Sequence, residues 1–316
     1  MNIIKNRYIY FLISLLVIIP GIVFMGINWQ QTKAGPLQLG IDFRGGSLLE
    51  VQFEGERPTA EEISALYSDF STEEQPIADP VVQSLGESSI SIRSKAMTDE
   101  TKGLIVAEME SRFGSKVTVE NFTSVSASVG AEVTQAAGVA ILFAAIAILI
   151  YIWWAFRSVE HAYRYGTAAI LAMLHDVLVV LGVEAILGYY LGWEADALFL
   201  TALLTVIGFS VHDTIVVFDR VRENSLLLRK IEYEKMVNHS IVQTLDRSIT
   251  TQLTVMFTLF ALVLFGGDSI RHFVVILLIG IFSGTYSSIF NAAPILVVWE
   301  NREWTTWFKP KEETAI

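Results

Sequence analysis

Long apolar stretches that alternate with short polar segments dominate this chain. Four of these stretches carry no formal charge, and each reaches or nearly reaches the ~20 apolar residues that span ~30 Å of hydrocarbon. They are Tyr8–Ile27, Ala136–Phe156, Ser248–Gly267 and Phe273–Trp299. Two further stretches, about Thr167–Tyr190 and Ala197–Phe218, contain a few charged residues. Because a helix satisfies all of its backbone polar groups internally, the pattern predicts a polytopic α-helical membrane protein with six transmembrane helices.

The polar segment between the first two spans has the pattern of a small folded domain. Runs of alternating apolar residues indicate strands, and two stretches with N-terminal capping residues indicate helices. The predicted strands are Ser47–Phe53, Val81–Leu85, Ser89–Arg93 and Val117–Phe122, and the predicted helices begin after Thr59 and at Thr98. The order β-α-β-β-α-β predicts a small α+β domain of the ferredoxin-like kind.

These elements divide the chain into four parts. Residues 1–28 contain the first transmembrane helix, residues 29–133 the extracytoplasmic domain, residues 134–300 helices two to six, and residues 301–316 a cytoplasmic tail. Within the third part, residues about 222–246 combine an apolar side with many charges. This pattern predicts an amphipathic helix in the headgroup plane, or a plain connecting helix.

Basic residues set the expected orientation. Lys and Arg cluster before the first span, after the second and fourth spans and in the tail, whereas the two short loops on the other side hold only Arg271 between them. Short cytoplasmic loops carry the excess of Lys and Arg. We therefore expect both termini in the cytoplasm and the 29–133 domain on the far side of the membrane.

Composition narrows the possible function classes. The 316-residue chain is 53% apolar with a mean hydropathy of +0.50, which fits an integral membrane protein. Cysteine is absent, which excludes disulfides and thiol catalysis, and the net charge of −11 does not suggest a nucleic-acid partner. The sequence has no phosphate-binding glycine loop and no histidine cluster with metal-ligand spacing, so we expect no enzyme, no cofactor and no metal.

Charged residues inside the spans are the candidate functional residues. Asp176 follows His175 in the third span, Asp213 follows His212 in the fourth, and Arg247 precedes the fifth. At 1.5 Å per residue, the two carboxylates are expected ~14 Å and ~8 Å from the cytoplasmic ends of their spans. A charge at the bilayer centre costs at least ~2.5–3.5 kcal/mol on insertion scales, so two such positions in consecutive spans indicate a function in transport.

Together these five residues could form a proton path at one cytoplasmic mouth. Burial raises the pKa of a carboxyl group and a nearby guanidinium lowers it. Movement of Arg247 toward and away from Asp213 would then let the carboxyl group release and take up a proton. The alternative is a set of fixed structural ion pairs. His175 and His212 either pass protons or hydrogen-bond between helices.

Other polar residues in the spans leave two interpretations open. Glu184, near the outer end of the third span, either functions in transport or reaches interfacial water. Residues 280–284 form a small-xxx-small face, which we interpret as a helix-packing surface. A polar group at the start of the fifth span either lines a wet path or bonds helix carbonyls; it consists of Thr250, Thr251, Gln252 and Thr254.

Four sequence blocks resemble those of the SecF family. The first is LGIDFRGG just after the first span, and the second is the His175-Asp176 pair. The third and most specific is GFSVHDTIVVFDRVREN, and the fourth is TLDRSITT. In chain order the blocks are Leu39–Gly46, His175-Asp176, Gly208–Asn224 and Thr244–Thr251, so the resemblance covers nearly the whole chain.

The resemblance implies a subunit of a SecD–SecF complex in the cell inner membrane, in which this chain supplies half of a twelve-helix unit of the RND transporter type. A flow of ions across the membrane, with protons as the expected ion, would assist protein export. The implied partners are SecD, the Sec translocon SecYEG, the unfolded preprotein and membrane lipid. By similarity, Asp213 would be the main proton-path carboxylate, with Arg247 as its modulator and Asp176 in support.

The chain departs from the family pattern at three positions. His212 replaces the usual Asn, and Gln252 and Val255 replace the usual Ser and Thr. These departures leave the choice between protons and sodium open, although an imidazole beside Asp213 favours protons. The alternative functions are a small-molecule efflux or lipid transporter and a scaffold of the translocon that conducts no ion. A far-side domain of about 100 residues is small for a substrate tunnel, and a scaffold would not need Asp213.

Overall fold

The structure is a computed structural model that describes residues 2–33, 35–73, 76–78, 80–85, 88–157 and 161–305. Most of the predicted tail at residues 301–316 therefore lies outside the described residues. The chain forms two compact units. The helical unit comprises Met1–Leu37, Ile141–Trp193 and Leu198–Ile316, and the sheet unit comprises Gln38–Ala140 and Glu194–Ala197.

Along the chain, the polypeptide leaves the helical unit for the sheet unit twice, at residues 38–140 and again at residues 194–197. A π-helical turn at Ser288–Ala292 joins the last two helices. In chain order the elements are α1 (Arg7–Thr32), α2 (Ile41–Arg44), β1 (Gly46–Phe53), α3 (Ala60–Asp69), β2 (Val81–Leu85), β3 (Ser89–Ser94), α4 (Asp99–Phe113), β4 (Val117–Val125), α5 (Ala127–Phe156), α6 (Ala162–Leu191), α7 (Ala197–Leu227), α8 (Tyr233–Phe265), α9 (Asp268–Ser287) and α10 (Ala293–Glu300).

The sheet unit is built on four strands in the order β2-β3-β1-β4, and each neighbouring pair is antiparallel. The β-α-β-β-α-β order of this layer is consistent with the predicted ferredoxin-like arrangement. Alternate residues of β1 are buried against α3 and α4. A capping box between Thr59 and Glu62 starts α3, because each residue satisfies a backbone N–H of the other.

The glycine pair of the LGIDFRGG block allows a close backbone approach at the start of β1. Gly45 has a φ of +75°, and a Cβ atom there would lie 2.8 Å from the Cα atom of Ala127. Gly46 has a φ of +132°, and a Cβ atom there would lie 2.7 Å from the carbonyl oxygen of Ser94. A side chain at either position would therefore strain the backbone and separate β1 from its neighbours.

The short segment between α6 and α7 belongs to the sheet unit, which the sequence did not indicate. The backbone N–H of Gly40 donates to the carbonyl of Ala195 at 2.8 Å, and the N–H of Ala195 donates to Gln38 at 2.7 Å. Asp42 accepts a hydrogen bond from the N–H of Ala197, the first residue of α7, at 2.9 Å. The LGIDFRGG block thus also satisfies a backbone N–H at the N-terminus of α7.

Within the described residues, six helices are long and apolar enough to cross a membrane, as predicted. The spans formed by α6, α7 and α9 with α10 are about half buried inside the unit, whereas α1, α5 and α8 are mostly exposed. The three buried spans therefore form the centre of the helical unit, and the polar residues of interest lie on them.

In the structure, residues 222–246 do not form the expected separate amphipathic helix but belong to two longer helices. Residues 222–227 are the end of α7, and residues 233–246 are the first half of α8, which continues without a break to Phe265. Met236, Val237 and Ile241 are buried within the protein. The expectation was wrong because this apolar side packs against protein, and because no Gly or Pro interrupts the helix before the membrane span.

Candidate functional site

Asp176 lies at the centre of the helical unit, with 1% of its surface exposed. Three serine hydroxyls donate to its carboxylate: Ser210 on α7 at 2.5 Å, and Ser283 and Ser287 on α9 at 2.7 and 2.5 Å. The Nδ1 atom of His175 lies 2.9 Å from the same carboxylate. Both oxygens of Asp176 are thus satisfied, and the carboxylate connects three helices.

Asp213 lies on α7 and is 4% exposed. Ser248 on α8 donates to one of its oxygens at 2.8 Å, and Ser288 donates to the other at 2.5 Å. Ser287 and Ser288 are consecutive, so the last span binds both carboxylates through adjacent side chains. The π-helical turn begins at Ser288, in keeping with the frequent occurrence of such turns at functional sites.

The π-helical turn has a cause in the sequence. Pro294 follows it, and proline lacks the N–H that would bond to the preceding turn of an α-helix. A wider local turn relieves this interruption. Within the same turn, Asn291 donates to the hydroxyl of Ser14 on α1 at 2.9 Å. The turn therefore also connects α1 to the buried polar centre.

A cavity of about 130 Å³ adjoins Asp213. The walls of this cavity, which we call the Asp213 cavity, come from α7 and α8. Its lining residues are Phe209, His212, Asp213, Val216, Arg247, Thr251, Gln252 and Val255. The structure thus places Arg247, His212 and Asp213 around one space, whereas Asp176 and His175 do not line it.

Arg247 and His212 reach the Asp213 cavity from the exposed side of the bundle. Both side chains are exposed, and among the described residues Arg247 has no carboxylate within 4.0 Å. The Arg247 guanidinium is therefore available to approach Asp213 without first breaking an ion pair of this kind. The fixed ion pair proposed as the alternative is not formed between these two residues.

Gln252 gives the Asp213 cavity a second buried polar group. It is 6% exposed, and its Oε1 atom has no hydrogen-bond partner among the described residues. Buried polar atoms usually have partners, so this oxygen marks a part of the cavity wall suited to water or an ion.

The serines that bond the two carboxylates were missed by the sequence reasoning. Ser283 lies inside the 280–284 face interpreted as a packing surface, and that face does pack closely, because a Cβ atom at Gly284 would lie 3.3 Å from Ser210. Ser287 and Ser288 belong to a run of uncharged polar residues in the last span, which also includes Ser283, Thr285 and Asn291. That run was the available signal, and it resembled ordinary polar contacts between membrane helices.

Glu184 does not reach interfacial water. It is 1% exposed, and its Oε2 atom lies 2.8 Å from the Nε2 atom of His272 on α9. His272 was not singled out from the sequence. The polar residues at the start of the fifth span divide between the two interpretations. Thr251 and Gln252 line the Asp213 cavity, whereas Thr254 donates to the carbonyl of Thr250 at 2.9 Å.

The fold and the site define a multi-pass helical membrane protein with a small four-stranded unit and two buried, hydroxyl-bonded aspartates in its central spans. The sequence matches the family described as "Protein export membrane protein SecD/SecF, C-terminal" over residues 105–302, and the "SecD/SecF GG Motif" over residues 35–56. The chain belongs to the SecD/SecF family, as the sequence blocks predicted.

Related proteins of nearly equal length support this assignment. The chain is 52% identical to "Protein translocase subunit SecF" of Anaerolinea thermophila over 98% of this chain and 97% of that protein. It is 47% identical to the protein of the same name from Thermobaculum terrenum over 99% and 98%. The chain is thus a SecF-type translocase subunit that supports protein export.

A solved structure shares the fold. The crystal structure of SecDF from Thermus thermophilus, described as a translocon-associated membrane protein, matches with a TM-score of 0.79 and 29% identity. The match covers 96% of this chain and 39% of that one. This chain therefore spans well under half of the SecDF polypeptide.

Proposed function

We propose that this chain pairs with SecD and uses proton flow through the Asp213 cavity to assist export through the Sec translocon. The observation that carries the proposal is the geometry around Asp213. A buried carboxylate, an exposed guanidinium that has no carboxylate within 4.0 Å among the described residues, and an unsatisfied amide oxygen line one small cavity. Buried ionisable groups are costly in a membrane and typically mark ion pathways.

The exposed polar face of the bundle supports a partner. His212, Arg247, Thr250 and Thr251 are exposed on α7 and α8, where lipid tails would leave the charge of Arg247 poorly solvated. A second six-helix half with a matching polar face would cover them. SecD is the natural candidate, because the SecDF chain of Thermus thermophilus is more than twice as long as the part matched here.

In the proposed cycle, Arg247 regulates the charge on Asp213. The guanidinium attracts the ionised carboxylate when it is near, and its withdrawal favours uptake of a proton. Ser248 and Ser288 hold the carboxylate in place through both states. Rearrangement of α7 against α8 would couple this exchange to the far-side domain, where SecD, SecYEG and the unfolded preprotein would meet.

The test is export into inner-membrane vesicles that contain the complex with SecD, with and without an imposed proton gradient. Asp213→Asn preserves the size of the side chain but cannot release a proton, so the gradient-dependent part of export should be lost. Asp219→Asn is the matched control, because Asp219 lies on the same helix with 58% of its side chain exposed, and it should behave like the wild type. A gradient response in Asp213→Asn equal to wild type, at equal abundance, would reject the proposal. Replacing the proton gradient with a sodium gradient distinguishes the two ions.

The proposed location is the inner membrane with both termini in the cytoplasm, as the basic loops indicate. Because the chain has no cysteine, single cysteines can report sidedness. Lys116 in the sheet unit and Lys235 at the start of α8 have side chains that are 70% and 73% exposed. In intact cells, an impermeant thiol reagent should label Lys116→Cys and should not label Lys235→Cys. The opposite pattern would reverse the topology.

A further inference from the structure

A second buried titratable pair lies away from the Asp213 cavity. Glu184 on α6 and His272 on α9 are joined by one contact of 2.8 Å between Oε2 and Nε2. The other carboxylate oxygen, Oε1, is buried and has no partner among the described residues. A carboxylate buried to this degree is costly to keep charged unless both oxygens are satisfied. Glu184 therefore differs from Asp176, whose two oxygens are both bonded.

His272 connects this buried carboxylate to the surface. Its side chain is 18% exposed, whereas that of Glu184 is 1% exposed. The imidazole packs between Trp193, at 4.7 Å between ring centroids, and Phe199 on α7, at 6.4 Å with nearly parallel rings. The neighbouring charged residue on its own helix, Arg271, is exposed. The aromatic rings hold the imidazole in position while one edge remains accessible.

An apolar layer separates this pair from the Asp176 cluster. On α6, Val180 lies one turn from Asp176 and one turn from Glu184, and it is fully buried. Val206 on α7 and Gly280 on α9 lie at the same level. A Cβ atom at Gly280 would overlap Val206 Cγ2 and lie 3.1 Å from Val180 Cγ2. These three residues are thus in close contact, with no room for a larger side chain at Gly280.

We propose that Glu184 and His272 form a second proton-holding site, which exchanges protons with water at the end of the bundle where α6 leads into α7. The step is a proton transfer between Glu184 Oε2 and His272 Nε2, in which an O–H bond breaks as an N–H bond forms. The imidazole then exchanges the proton with water. The apolar layer keeps this site apart from the Asp176 cluster until the helices move. The inference rests on the proposed function, because a path through the membrane needs an opening at each end.

A purely structural pair is the competing interpretation. A fixed Glu–His contact would keep the same protonation state across the working pH range and would serve only to hold α6 against α9. Two features favour exchange instead, namely the unsatisfied Oε1 atom and the partly exposed imidazole. The two interpretations differ in whether Glu184 takes up a proton.

The test is infrared difference spectroscopy of the complex with SecD in lipid vesicles during a pH titration, which reads carboxyl protonation without export. The wild type should show a protonated-carboxyl band that Glu184→Gln removes and the exposed control Glu132→Gln retains. Because His272 is the group with which Glu184 would exchange its proton, His272→Gln should shift the midpoint of that band. The thermal unfolding midpoint of each variant monitors folding.

The outcomes separate this inference from the proposed function. If the band is present in Glu184→Gln at wild-type intensity, or if His272→Gln leaves its midpoint unchanged, the second site does not exist, even when Asp213→Asn abolishes the gradient response. If Asp213→Asn leaves that response intact, the proposed function fails regardless of the band. If the carboxyl band behaves as expected and Asp213→Asn abolishes the gradient response, Glu184→Gln should also shift the pH dependence of gradient-driven export. A pH profile superimposed on that of the wild type would place the pair outside the proton path.

Discussion

The two aspartates of the central spans have similar burial but different surroundings. Asp176 has three hydroxyl donors and a histidine contact on its two oxygens, and it does not line the Asp213 cavity. Asp213 has one donor on each oxygen and lines a cavity shared with Arg247 and Gln252. The first carboxylate is enclosed by hydroxyl donors from two helices, α7 and α9, and the second faces a space into which a cation can move.

This difference indicates how to separate structure from function in a buried polar network. A carboxylate whose two oxygens each accept two hydrogen bonds, mostly from neighbouring helices, holds those helices together. Its loss is expected to destabilise the fold. A carboxylate with fewer donors, a cavity and a nearby cation can change its protonation without rearranging its neighbours. Burial alone, which is all that hydropathy predicts, does not distinguish the two cases.

The largest expected effect is that of Asp176→Ala on stability. The change leaves the buried hydroxyls of Ser210 and Ser283 without an acceptor, whereas Ser287 keeps the carbonyl of Gly284 at 3.2 Å. Each unsatisfied group costs about 1–3 kcal/mol. We expect a loss of about 2–6 kcal/mol, seen as a lower thermal unfolding midpoint in detergent and lower abundance in the membrane.

Asp176→Asn is the matched variant, since its amide oxygen still accepts hydrogen bonds and its size is unchanged. It should recover part of the lost stability, because one of the two acceptor oxygens remains. If instead Asp176→Ala is as stable as the wild type while Asp176→Asn loses the gradient response, then Asp176 is a proton carrier and the contrast drawn between the two aspartates is wrong.

The sequence predicted the six spans, the sheet domain and the family, because each depends on a repeated local pattern. Twenty-residue apolar runs fix the spans, strand alternation fixes the β elements, and the blocks around Asp213 and Arg247 fix the family. The same reasoning identified Asp176 and Asp213 as buried charges, because a charge within an apolar run is visible in the sequence alone.

The partners of these charges were not predictable in the same way. Ser210, Ser248 and Ser288 come from three different segments, and only the packing of those segments determines which hydroxyl meets which carboxylate. The contact between Glu184 and His272 spans 88 residues of sequence for the same reason. The amphipathic helix at residues 222–246 was misjudged because its apolar side could pack on lipid or on protein, and the pattern is identical in both cases.

A smaller effect is expected from closing the apolar layer more tightly. Gly280→Ala places a Cβ atom into Val206, 2.9 Å from its Cγ1 atom and closer to its Cγ2 atom. Overpacking of this kind typically costs about 1–3 kcal/mol, so we expect about 2 kcal/mol, measured as a drop in the unfolding midpoint.

Gly138→Ala on the exposed α5 is the control for this change. A Cβ atom there meets nothing within 4 Å, and removing a helical glycine should stabilise the helix by about 0.5–1 kcal/mol. Equal behaviour of the two variants would show that the layer is loosely packed. Water could then pass between Asp176 and Glu184, and the enclosure of Asp176 would lose its significance.

The smallest expected effect is that of replacing Arg247, which should change export with little change in stability. Its side chain is exposed and forms no ion pair of up to 4.0 Å among the described residues, so Arg247→Met should leave the unfolding midpoint nearly unchanged. It removes the cation that attracts Asp213, and we expect gradient-dependent export to fall on the order of tenfold, which corresponds to ~1.4 kcal/mol. Arg247→Lys keeps the charge but loses the planar fork, so it should recover part of the rate.

The measurement is export across a range of pH for the wild type and both variants. Superimposed profiles would mean that the guanidinium does not act on Asp213. The difference between the two aspartates would then rest on their serine donors alone.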